Sequence, residues 1–113
     1  MTDFLNQQCV PCKGDVPPLT EAQISEFLGE TPNWEVVKVE GIPHLKRSFE
    51  FEDFAEALAF TNTIGELAET EGHHPLIELT WGKVTVEWWT HSIKGLHTND
   101  FIMAAKTSNA YQN

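Results

Sequence analysis

The sequence predicts an α+β domain: a four-stranded antiparallel sheet with helices on one face, in the order αββαββα. Three observations carry that expectation. Four strand-like runs arrive as two consecutive hairpins, a helical stretch of roughly five turns separates them, and shorter amphipathic segments flank the pair. Hairpins in succession make an antiparallel sheet whose apolar face the helices must cover, so a doubly wound parallel sheet is not expected. A chain of 113 residues supports one such domain with its own core.

The elements follow in chain order. After Pro17 and Pro18, Thr20 stands ready to cap a helix and Gln23 to reach back to it, while Ile24, Phe27 and Leu28 fall at helical spacing. That helix should stop between Gly29 and Pro32. Trp34 to Glu40 forms a Val-rich strand, Gly41-Ile42-Pro43 connects, and His44 to Phe51 returns as the second strand. From Asp53, a cap, to about Glu71, residues Phe54, Ala57, Leu58, Thr61, Ile64, Leu67 and Ala68 track a 3.6-residue period. Ala55, Ala59 and Phe60 lie off this stripe, on surface that a monomer would leave wet. Gly72 suits the helix end, and Pro75 turns the chain outward.

Leu76 to Trp81 and Val84 to Thr90 form the second hairpin, closed by Gly82-Lys83 in a turn of the II′ kind. With Trp81 facing Val84, Leu79 meets Val86 and Ile77 meets Trp88 on the core face. The opposite face then carries Glu78, Thr80, Thr85, Glu87 and Trp89. A last helix runs from Thr98, its cap, to about Ala110, with Asp100 in the first turn, where acids are favoured.

Residues 1–18 read as a leader and residues 19–113 as the domain. The leader holds both cysteines, Cys9 and Cys12, as one C-x-x-C among Pro and Gly. A zinc site needs four ligands, and a thioredoxin-like pair opens a helix after a strand, so neither context is complete. Incidental thiols, or a zinc or redox role completed by a second subunit, both stay open.

Charge and hydropathy narrow the function classes. Seven Lys and Arg against seventeen Asp and Glu give a formal charge of −10, a field that repels nucleic-acid backbones and anionic lipids. No apolar run reaches the ~18 to 20 residues of a membrane span, and Asp3 stands where a signal peptide would be basic. A cytoplasmic protein that binds neither nucleic acid nor membrane is expected.

Three of the five histidines, His73, His74 and His91, fall around the second hairpin. Extending its register one step places His74 opposite His91, and Glu69, four residues before His73, can reach a histidine at the helix end. Imidazoles exchange protons near neutral pH, so several in one cleft suit a reaction that needs an acid and a base. Spacing alone equally allows histidines that satisfy backbone carbonyls, or metal ligands, although the H-x-x-x-H pair of many metal sites is missing. His44 and His97 read as ordinary surface or loop residues.

Glu69-x-x-x-His73-His74-Pro75, Trp81, Thr90-His91, Gly95-Leu96 and Asp100 together resemble the signature of the pterin-4a-carbinolamine dehydratases, over residues 17 to 113. The resemblance implies removal of water from a 4a-hydroxytetrahydropterin to give quinonoid dihydropterin, within pterin recycling, with no metal and no organic cofactor. It implies that His73 and His91 donate protons to the leaving hydroxyl and that His74 orients the ring or takes the N5 proton. Glu69 would set a histidine's tautomer, and Asp100 would orient His91 or cap its helix. Trp81 matches an aromatic slot of the signature, though the register assigns it to core packing. The family's habits also imply a homodimer or homotetramer, and they leave a second reading, a non-enzymatic protein-interaction or assembly module on the same fold.

Overall fold

The computed structural model describes residues 3–10 and 17–112. Its elements are α1 (Glu21–Leu28), β1 (Glu35–Val39), β2 (Ile42–Glu50), α2 (Phe54–Glu71), β3 (Leu76–Leu79), β4 (Lys83–Trp88) and α3 (Thr98–Gln112), with a single 3₁₀ turn at His91–Ile93. The αββαββα order holds. The sheet is antiparallel throughout, with strand order β1-β2-β4-β3.

Local chemistry accounts for the boundaries. Thr20 and Gln23 form the reciprocal capping box, and Asp53 caps α2 by accepting the Glu56 N–H at 2.8 Å. The first hairpin turns through Glu40 and Gly41, at φ 52° and 81°. Both lie in the left-handed region that a two-residue type I′ turn requires, and Gly41 adopts it without a Cβ penalty. Gly72 ends α2 in the same left-handed conformation, at φ 66°.

The second hairpin departs from the expected register. Leu79 pairs with Val84 and Ile77 with Val86, so the loop is Trp81-Gly82 and not Gly82-Lys83. Thr80 closes it, donating both its N–H (2.9 Å) and its hydroxyl (3.0 Å) to the Lys83 carbonyl. Neither loop residue takes a positive φ, so the turn is not of the primed kind. The difference moves each pairing by two positions, which keeps every side chain on its expected face. Trp81 is the exception: it leaves the core face for the turn and is 69% exposed.

The core lies between the sheet and α2 and α3, with Leu45, Phe49, Val84, Val86 and Trp88 facing Ile64, Phe101 and Met103. Phe60 belongs to it, contrary to its expected place off the stripe, because its ring meets Phe49, Phe51 and Tyr111. Phe54 and Leu58, expected inside, are 44% and 40% exposed. The described part of the leader is docked. Phe4 is buried and its ring contacts Phe27 and Phe101. No helix among the described residues is long and apolar enough to cross a membrane.

Candidate active site

A cavity of about 510 Å³, within the usual size of small-molecule sites, opens where the end of α2, the turn after β4 and the start of α3 meet. Its lining includes His73, His74 and His91. The two sequence-distant histidine groups therefore converge, although not through the expected pairing. The register runs His74 toward Trp89, and an isolated bridge between Thr90 and Gly95 bends the chain so that His91 opens the 3₁₀ turn.

His73 is the most confined of the three. Its Nε2 donates to Asp100 Oδ1 at 2.6 Å, and its ring lies parallel to Trp88, 7° between planes at 5.7 Å. Asp100 is fully buried, and its other oxygen accepts from Thr90 Oγ1 (2.7 Å) and the His97 N–H (2.9 Å). Such a carboxylate fixes the orientation of the His73 ring while it is itself held by Thr90 and the His97 N–H. The resemblance implied that Asp100 orients His91 or caps its helix; in the structure Asp100 meets His73 and accepts the His97 N–H at the start of α3. The cap itself is His97, which replaces the expected Thr98: His97 Nδ1 accepts the Asn99 N–H at 3.0 Å while Asp100 takes the His97 N–H in return. This requires an unprotonated Nδ1. Burial holds the His97 imidazole below its ordinary value, an effect that Asp100 opposes and His73 reinforces.

Glu69 Oε2 meets His74 Nε2 at 2.5 Å, on the solvent side of the cavity. His91 is exposed, and its ring rests on Trp89 at 4.5 Å. Trp89 in turn stacks on His44 at 3.8 Å, and His44 bonds Glu87 at 2.9 Å. His44 is thus a buried member of β2 and no ordinary surface residue. Trp81, in the exposed turn, is not among the residues of this cavity.

The model of the pterin 4 alpha carbinolamine dehydratase family matches residues 17–110. The chain belongs to this family. Among curated proteins it is similar to one from Chlorobium limicola, 54% identical over 112 residues and covering 99% of each chain. It is equally similar to one from Saccharophagus degradans, 54% identical with the same coverage; both carry the name "Putative pterin-4-alpha-carbinolamine dehydratase". Among solved structures it resembles a transcriptional coactivator/pterin dehydratase from Brucella melitensis, with TM-score 0.76 and 34% identity over 83% of this chain and 98% of that one. A pterin dehydratase-like protein, a RuBisCO assembly factor in the alpha-carboxysome, shares the fold with TM-score 0.61 and 22% identity over 70% of this chain and 89% of that one.

Part of the cavity wall lies outside the stretch that the dehydratase family model matches. Cys9 and Val10 line the cavity beside Glu71 and Asn99. The Asn99 amide grips Val10 at two points, accepting its N–H at 3.0 Å and donating to its carbonyl at 2.7 Å. The Cys9 N–H donates to Glu71 Oε1 at 2.9 Å. Burial first, then the Glu71 and Asp100 carboxylates, push the Cys9 thiol up to about 12, which keeps it protonated near neutrality. Cys12 lies outside the described residues. No three His, Cys, Asp or Glu side chains among the described residues cluster closely enough to hold a metal ion. Thr90, Glu71 and Asn99 line the cavity and Trp88 backs His73, and of these only Thr90, adjacent to His91, stands in a sequence motif.

Proposed function

We propose that this chain is a dehydratase that converts a 4a-hydroxytetrahydropterin to quinonoid dihydropterin and water, by histidine general acid and base catalysis. The reaction breaks the C4a–O bond with a proton delivered to the leaving hydroxyl, and forms the C4a–N5 double bond as N5 loses its proton. No electrons enter or leave. The observation that carries the reading is the pairing of His73 with the fully buried Asp100 in a cavity shared with His74 and His91.

The tautomers follow from the carboxylates, which only accept. His73 gives its Nε2–H to Asp100, so a proton on Nδ1 is the one available to the hydroxyl, and the resulting imidazolium faces a buried anion. His74 gives its Nε2–H to Glu69, leaving the Nδ1 lone pair to take the N5 proton. His91 is the second proton donor, its ring supported by Trp89. Self-association into a dimer or tetramer is part of this reading, supported by Phe54 and Leu58 exposed on α2. Sedimentation as a monomer at micromolar concentration contradicts that part alone.

The test is to mix the protein with freshly generated 4a-hydroxytetrahydropterin and follow quinonoid product. Acceleration over the spontaneous reaction is expected, with His73→Ala and His91→Ala each losing about 10²- to 10⁴-fold. A rate equal to the spontaneous one overturns the proposal and leaves the interaction-module reading in its place.

A further inference from the structure

Glu71 is the last residue of α2, where the helix dipole disfavours a carboxylate and no basic residue in the final turn offsets it. In the same turn Glu69 is matched by His74. Glu71 instead stands on the wall of the histidine cavity, where it accepts the Cys9 N–H at 2.9 Å and faces the Cys9 thiol. A carboxylate offers about four lone-pair sites, so acceptor capacity remains on that wall beyond what Cys9 uses. Nothing in the acid and base chemistry above requires this group.

Its position is nevertheless fixed by a good deal of structure. Asn99 is 2% exposed and grips Val10 at two points, and Phe4, further along the same segment, is anchored in the core by Phe27 and Phe101. The segment brings a backbone amide to Glu71 from 62 residues away in sequence. A local rule broken at a helix end, and stabilised by long-range contacts, marks a site with a task.

The pyrimidine edge of a pterin presents two donors side by side, the N3–H and an N–H of the 2-amino group. A carboxylate accepts both, in the fork geometry that makes such contacts strong and directional. Resting on the pterin reading above, we propose that Glu71 binds this donor edge and that the docked N-terminal segment holds it there. Glu71 then sets which heterocycle the cavity accepts. A lumazine, which carries an oxygen in place of the 2-amino group, turns an acceptor toward an acceptor-only side chain and is rejected.

The experiment measures equilibrium binding of 6-methyl-7,8-dihydropterin and 6-methyl-7,8-dihydrolumazine to the full chain and to Glu71→Gln. Gln still accepts the Cys9 N–H, so the wall is retained while the second acceptor becomes an NH₂. The unaltered protein should favour the pterin by at least about tenfold, and Glu71→Gln should lose about that factor for the pterin and bring the two ligands to near equality. A general loosening of the fold would weaken both ligands together and leave their ratio alone. Asn99→Ala, which releases Val10, should weaken pterin binding in the same direction, and unchanged affinity overturns the role given to the segment. Preference for the pterin undiminished in Glu71→Gln overturns the role given to Glu71 while the dehydratase reading stands. Failure of the unaltered protein to bind either ring overturns both.

Discussion

Replacing Asp100 by Asn tests the dyad with almost no change of shape. Asp100 is fully buried, and two of its three donors among the described residues, Thr90 Oγ1 at 2.7 Å and the His97 N–H at 2.9 Å, converge on Oδ2. An Asn amide therefore places its oxygen there and its NH₂ where Oδ1 now meets His73 Nε2 at 2.6 Å. His73 must answer with an unprotonated Nε2, which shifts its proton to Nδ1 and leaves its imidazolium facing a donor. Losing one charge-assisted hydrogen bond should cost about 1.5 to 3 kcal/mol of folding stability, read from urea melts. The catalytic loss should be larger than a stability change explains, because the folded variant still lacks a charge-stabilised acid: about 10²- to 10⁴-fold in kcat. Stopped-flow dehydration of 4a-hydroxytetrahydropterin measures it, with protein kept far below the melt midpoint. A kcat within about threefold of the unaltered enzyme would refute the argument that His73 works through Asp100.

Two further predictions concern titration. His97 caps α3 as a neutral acceptor and its folded value lies below the ordinary 6.5, so the unfolded chain binds the extra proton first as pH falls. Its contribution to stability is complete above about 6.5 and is lost on acidification through the window down to the folded value; His97→Asn, a cap that does not titrate there, should flatten that part of the stability profile, and an unchanged profile counts against the assignment. For Cys9, raised from 9.0 to about 12, iodoacetamide labelling of a Cys12→Ser protein at pH 8 should run about a thousandfold slower than for a free thiol and recover in denaturant. Labelling at the free-thiol rate in the native protein would contradict the placement of Cys9, half-buried beside Glu71.

What could be read from the sequence was local. The capping box at Thr20 and Gln23, the Asp53 cap, the span of α2 and the two hairpins rest on neighbours within a few residues, and the structure has them all. The register of the second hairpin was not legible, because a shift of two positions leaves every apolar residue on the same face and periodicity is blind to it. That shift carried Trp81 out to the turn. The candidate site divided the same way. Its histidines and Glu69 could be picked out from spacing and Asp100 from the family resemblance, but the partnership of His73 with Asp100 spans 27 residues and could not be. The leader shows the limit most plainly: Asn99 meets Val10 across 89 residues, and no local pattern in a Pro- and Gly-containing segment announces that contact or the burial of Phe4.

A crystal structure with 6-methyl-7,8-dihydropterin bound addresses the central claim most directly. The ring should lie inside the histidine cavity, with C4a and N5 within hydrogen-bonding reach, directly or through one water, of imidazole nitrogens of His73, His74 and His91. A pterin seated elsewhere on the molecule, with that cavity empty, would contradict it.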